Sequence, residues 1–189
     1  MRNRLSELDR AIYRAVARLP TPGLDAPLRR LTGLADFSKL WFGIAGALAL
    51  FGGPRGRRAA LTGVVAIGGA SFVVNQPMKL MHMRARPDRE GAGVPEARWA
   101  DMPESTSFPS GHSASAAAFA VAVGDVYPEV RRPLAVLAAT VAFSRTYSGV
   151  HYPGDVAIGV VAGAVAGRLT SGAGAWLAGR WARRRARTY

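Results

Sequence analysis

What most constrains this chain is its division into apolar blocks close to the length of a bilayer crossing, separated by short charged or proline-bearing gaps. In hydrocarbon each backbone polar group must find its partner within the segment or in a closed barrel, and about 20 apolar residues cross as a helix. The first block runs from about Leu31 to Gly53. Its uninterrupted part, Leu40 to Gly53, is short, and it reaches crossing length only with Asp36 and Lys39 held near an interface, Lys39 lifting its ammonium to the headgroups one turn from Asp36. Further blocks run from Ala59 to Lys79, Ser110 to Tyr127, Leu134 to Tyr147, and Pro153 or Asp155 to about Leu169. The third is built from alanine and serine, and the last carries Gly159, Gly163 and Gly167 at four-residue spacing, a stripe that lets neighbouring backbones approach closely. No repeat of fixed period is present, and the pattern leaves no room for a sheet. The expected fold is all-α: a polytopic membrane helix bundle of about five transmembrane helices.

Residues 5 to 19 put Leu5, Leu8, Ile12, Val16 and Leu19 on one helical face and Arg10, Arg14 and Arg18 on another. Such a helix lies in the bilayer interface or packs on protein. Pro20 and Pro22 end it. The expected organisation is an N-terminal amphipathic interfacial segment over 1–30 and a membrane bundle over 31–172 whose longest loop is 82–108. A basic C-terminal tail follows over 173–189, holding Arg180, Arg183, Arg184, Arg185 and Arg187. The first twenty residues lack an apolar core or a small-residue cleavage site, so no cleaved signal peptide is expected.

The net charge of +13 raises nucleic acid as a partner. The 25 basic residues, however, stand mostly at the termini and in the gaps, where they match anionic headgroups, and no groove-reading helix or aromatic-basic platform accompanies them. Lipid bilayer, and no nucleic acid, is the expectation. The chain has no cysteine, which excludes disulfides and thiolate-held metals.

Five alternating crossings bring three polar groups to one face. Lys79 and Arg86 follow the second span, seven residues apart, with Pro87 ending any helix there. Alone they read as a snorkelling cation and a loop arginine. Pro109-Ser110-Gly111-His112 opens the third span, where free amides and the helix dipole attract anions; Ser110 is a hydroxyl donor to that anion or simply an N-cap. Ser144-Arg145 and His151 with Asp155 join the fourth span to the fifth. Arg145 offers a forked donor to phosphate oxygens, and the four-residue spacing lets Asp155 accept from one imidazole nitrogen while the other is free as nucleophile or base. Otherwise Asp155 is a capping residue beside an incidental histidine. The acidic residues of the loop, Asp88, Glu90, Glu96, Asp101 and Glu104, form no recognisable metal-ligand motif and read as loop solvation.

The combination Lys79, Arg86-Pro87, Pro109-Ser110-Gly111-His112, and Ser144-Arg145 with His151 and Asp155 resembles the three-part signature of the type 2 phosphatidic acid phosphatase superfamily, which includes glucose-6-phosphatase and vanadium haloperoxidases. The resemblance implies that His151 attacks phosphorus to form a phosphohistidine, that Asp155 orients it, and that His112 protonates the departing oxygen and then activates water. Lys79, Arg86, Ser110, Gly111 and Arg145 would hold the phosphate oxygens, with no cofactor and no metal. The implied substrate is a phosphate whose tail stays in the bilayer: polyprenyl diphosphate, a polyprenyl phosphosugar phosphate, phosphatidic acid or phosphatidylglycerol phosphate. Discrimination among them is expected from the 82–108 loop, Trp99 included. A catalytically silent lipid-binding or lipid-moving protein and a vanadate-dependent peroxidase are the alternatives. Basic residues at Arg55, Arg57, Arg58, Arg131, Arg132 and the tail favour the non-catalytic face inside, in the plasma membrane, against seven arginines before residue 31.

Overall fold

The structure, a computed structural model, describes residues 2–79 and 83–185; residue 82 of the loop and Arg187 of the tail lie outside the described residues. Among the described residues seven α-helices follow in order: α1 Arg2–Ala17, α2 Pro22–Leu34, α3 Lys39–Phe51, α4 Gly53–Val73, α5 Gly111–Val126, α6 Arg131–Tyr147 and α7 Pro153–Arg185. No strand occurs among the described residues. A π-helical turn, Val74–Met78 with Pro77 inside it, continues α4 towards Lys79.

α5 is the axis of the bundle. Its alanines leave no side-chain bulk to hold neighbours off, and Ala114, Ala116, Ala118, Phe119, Ala122 and Val123 are fully buried between α4, α6 and α7. The glycine stripe of α7 lies against it. A Cβ on Gly159, Gly163 or Gly167 would collide with the carbonyl oxygens of Ser110, Ala114 and Ala118 respectively. Gly63 of α4 makes the same kind of approach, since a Cβ there would stand 2.7 Å from the Phe119 ring.

The first apolar block is not one helix. It breaks after Leu34, where Phe37 (φ 53°) and Ser38 (φ 59°) adopt left-handed backbone, and the helices on either side are bent by 63°. Asp36 in that break bonds to His112 and not to Lys39, whose Nζ instead lies 5.4 Å above the Phe37 ring. Among the described residues, two helices are long and apolar enough to cross a membrane, Gly53–Met78 and Pro153–Arg180, or three if the bent pair is one span. α5 and α6, at 16 and 17 residues, are shorter.

α7 runs on past Leu169 to Arg185, because no proline removes an N–H from that stretch. Asp125 near the end of α5 accepts from Arg168 (2.6 Å) and Ser171 (2.8 Å), so the remainder of α7 extends beyond the bundle. α1 turns Tyr13 and Ala17 inward onto Val94 of the loop and leaves Leu5, Leu8 and Ile12 exposed.

Candidate functional site

The turn between α6 and α7 carries His151. Gly149 (φ 77°) allows it: a Cβ there would meet Arg89 Cβ at 2.9 Å and the Tyr13 hydroxyl at 3.2 Å in a backbone region that side chains disfavour. The amides of Val150 and His151 both donate to the Arg145 carbonyl at 3.2 Å, which fixes the turn. His151 is buried. Its Nε2 lies 3.3 Å from Arg86 Nη1, while Nδ1 has no hydrogen bond and stands 3.8 Å from Asp155 Oδ2. Burial, against the opposing Asp155 carboxylate and with help from Arg145 and Arg86, pushes its pKa from 6.5 down to about 4. At neutral pH the ring is therefore uncharged, with a lone pair on one nitrogen.

Asp155, in the first turn of α7, is fully buried and saturated. Oδ1 accepts from Arg84 Nη1 (2.8 Å), and Oδ2 from the Ser107 hydroxyl (2.5 Å) and the Tyr152 amide (3.0 Å). Arg84 in turn donates to Asp9 (2.6 Å) and lies over the Tyr152 ring, and Asp9 accepts from the Gly154 amide (2.7 Å). The N-terminal helix is thus tied to the carboxylate beside His151.

Ser110 caps α5. Its hydroxyl oxygen accepts from the Ser113 amide (3.4 Å) and bonds the Ser113 hydroxyl (2.9 Å), while its own amide donates to the Asp155 carbonyl (3.0 Å). Gly111 and His112 follow in the first turn, whose amides no helical carbonyl can reach. His112 Nε2 is 2.7 Å from Asp36 Oδ1.

The cations come from two elements. Lys79, beyond the π turn, donates to the Ser105 hydroxyl (3.1 Å). Arg86 donates to the carbonyls of Ser105 (2.9 Å) and Val150 (2.9 Å), so it is held in place, among the described residues, without a direct ion pair. Arg145 is buried, donates to Thr32 (2.5 Å), stands 4.0 Å from Asp36 and leaves its Nε without a partner.

Lys79, Arg86, Gly111, His112 and His151 line one cavity of about 220 Å³, together with residues 35, 37 and 38 of the break and Pro103 and Ser105 of the loop. Ser110, Arg145 and Asp155 stand behind its wall. Trp99 is elsewhere, donating to the Val94 carbonyl (3.0 Å) under the Arg89 guanidinium. Asp36, Arg84, Asp9, Ser105 and Ser107 have roles here that the sequence motifs do not indicate. Among the described residues no three of His, Asp and Glu gather as a metal site would require. Two cations, helix-end amides and two imidazoles around one small cavity can bind an oxyanion, attack it and move a proton.

The family pattern described as the PAP2 superfamily matches residues 59–178. The decaprenylphosphoryl-5-phosphoribose phosphatase of Mycobacterium tuberculosis (strain ATCC 25618 / H37Rv) is 36% identical over 159 residues, covering 81% of this chain and 82% of that protein. The protein of the same name from Mycolicibacterium smegmatis (strain ATCC 700084 / mc(2)155) is 34% identical over 141 residues, 73% of this chain and 72% of its own length. Among solved structures, Aquifex aeolicus LpxE superposes with a TM-score of 0.70 at 22% identity, over 86% of this chain and 94% of the other. The first transmembrane PAP2 type phosphatidylglycerolphosphate phosphatase from Bacillus subtilis gives 0.70 at 26%, over 90% and 86%.

Proposed function

The chain belongs to the PAP2 superfamily, and from that premise we propose that it is an integral membrane phosphatase that removes the phosphate of a polyprenyl-linked phosphosugar through a phosphohistidine. The observation that carries this is the cavity in which His112 and His151 face one space beside Lys79 and Arg86. At about 220 Å³ it is smaller than a pocket for a whole organic ligand, so it suits a phosphate and its ester oxygen while the tail remains in the bilayer. The sugar-phosphate preference rests on the relatives' named substrate, decaprenylphosphoryl-5-phosphoribose.

In the proposed reaction the Nε2 lone pair of His151 attacks phosphorus, and the bond to the ester oxygen breaks as His112 hands that oxygen a proton. Water then attacks the phosphohistidine, giving its proton to His112, and the P–N bond breaks to release phosphate. Lys79, Arg86 and the amides at Gly111 stabilise charge on the phosphoryl oxygens, the work a metal ion does in other phosphoryl transfers. Arg145, buried behind the cavity wall with its Nε unpartnered, adds positive charge beside the site. Ser110 contributes by shaping the helix start, and Asp155 by holding the turn that presents His151.

Five crossings, formed by α3 to α7, leave α2 on the catalytic face, where its two ends bond Tyr147 and Arg145, and α1 on the interface. Its exposed Leu5, Leu8 and Ile12, with Phe108, Ala157 and Ile158, wall an apolar groove of about 650 Å³ suited to lipid. On this reading 1–30 is the interfacial segment, 31–172 the catalytic bundle and 173–189 a basic end. Arg55, Arg57, Arg58, Arg131 and Arg132 lie at helix starts opposite the cavity, which favours a plasma-membrane protein with its site on the outer face.

The test is phosphate release in detergent with EDTA from a polyprenyl phosphosugar phosphate, polyprenyl diphosphate, phosphatidic acid and phosphatidylglycerol phosphate. The account expects the highest kcat/KM for the first; preference for a glycerolipid overturns the substrate assignment.

A further inference from the structure

We propose that Asp36 is a positioning residue for His112, holding the imidazolium by Nε2 so that Nδ1 carries the proton delivered to the departing oxygen. This rests on the reading of His112 as the general acid. Asp36 Oδ1 is 2.7 Å from Nε2, a charge-assisted hydrogen-bond distance, and it is the carboxylate in contact with that ring among the described residues. A histidine engaged at one nitrogen has one tautomer and one orientation, and the free nitrogen is left for substrate. Here that nitrogen is Nδ1.

The backbone around Asp36 is the second observation. Phe37 and Ser38 both have left-handed backbone, and for an aromatic residue this is a true outlier. Strain of this kind persists where the surroundings over-determine it, and here the break turns Asp36 towards α5 while residues 35, 37 and 38 form part of the cavity wall. An unbroken α2–α3 helix would be free of that strain.

The charges around the ring are the third. From α6 the Arg145 guanidinium faces His112, from the loop Arg86 does so, and Lys79 and His151 share its cavity. Cations there oppose a charged imidazole. The carboxylate of Asp36, 4.0 Å from Arg145 Nη1 and bonded to His112, opposes them in part. When the ester bond to phosphorus breaks, the Nδ1 proton passes to the ester oxygen, and the ring becomes neutral with its remaining proton on Nε2 facing Asp36. Nδ1 is then the base that takes a proton from the attacking water, and the imidazolium is restored as the P–N bond to His151 breaks.

The test compares two leaving groups in single-turnover release of alcohol, before water attacks. An alkyl phosphate needs a proton on its departing oxygen, whereas p-nitrophenolate leaves without one. Purified wild type, Asp36→Asn, Asp36→Glu and His112→Ala are measured in detergent with both. Asp36→Asn is expected to slow the alkyl phosphate about tenfold more than p-nitrophenyl phosphate, part of the usual worth of a general acid. Asp36→Glu, which keeps the charge, recovers some of the loss. Where Asp36→Asn does not fold, Asp36→Ser replaces it and is read in the same way. Equal slowing of both substrates overturns the proposal, because a residue that only neutralises Arg145 or holds the break would act on both alike. If His112→Ala is selective and Asp36→Asn is not, the inference about Asp36 fails alone; if His112→Ala is also unselective, the general-acid reading fails and takes it along.

Discussion

At His151 the carboxylate four residues away stands 3.8 Å from Nδ1, while Nε2 meets a guanidinium at 3.3 Å. The ring is kept neutral by burial and by cations more than by a base. Attack requires that neutral form, so kcat/KM is expected to fall on the acid side as pH drops through about 4 and not through 6.5. Arg86→Gln removes one of the lowering cations and moves that limb upward. A pH–rate profile checks both, and a wild-type limb near 6.5 contradicts them. The same shift has a stability consequence. Above 6.5 the histidine is neutral whether folded or not and contributes nothing; as pH falls from 6.5 towards 4 the unfolded chain takes up a proton that the folded chain refuses, so the unfolding midpoint drops across that window. Local chemistry at this scale is legible from sequence, because spacing alone brings His151 near Asp155 and puts Gly111 and His112 in one helical turn. The partners are not. Asp36 meets His112 across 76 positions and Arg84 meets Asp155 across 71, and no short-range pattern records such pairs.

Among the elements, the α5–α7 contact depends on glycine. Gly163→Leu drives a side chain into the Ala114 carbonyl, and only separation of the two helices relieves the clash. Such overpacking costs about 1–3 kcal/mol or more, so a fall in thermal midpoint in detergent is expected, and an unchanged midpoint counts against this contact. The loop is fastened by another device. Buried Arg98 donates to Asp25 (2.8 Å) and to the carbonyls of Ala17 (3.1 Å) and Leu19 (2.7 Å), joining the loop to the α1–α2 corner. Arg98→Met leaves Asp25 buried without its cation, a loss of about 3–5 kcal/mol, read as early protease cleavage of residues 83–108. Apolar blocks and small-residue stripes make the helices from α4 to α7 readable in advance. The break at residues 35–38 is not, because neither Gly nor Pro marks it; tertiary contact with α5 holds a conformation that Phe37 and Ser38 do not favour locally.

For the whole molecule, helix starts and ends sort the charges. Cations of the cavity come from the end of α4 and the loop, and those at Arg55 and Arg131 from the opposite helix starts, where Arg55 bonds Glu129 (2.9 Å). The fold gathers these cations around one cavity at one end of the bundle, and the order of apolar and polar segments already implies that arrangement. The central claim is that His151 carries the phosphoryl group. The direct measurement is to incubate purified protein in detergent and EDTA with a lipid phosphate labelled at its phosphorus, quench, and count label retained on the chain. The account predicts an acid-labile, base-stable phosphoprotein in wild type, with neither label nor phosphate release in His151→Ala. Equal phosphate release by wild type and His151→Ala would contradict it.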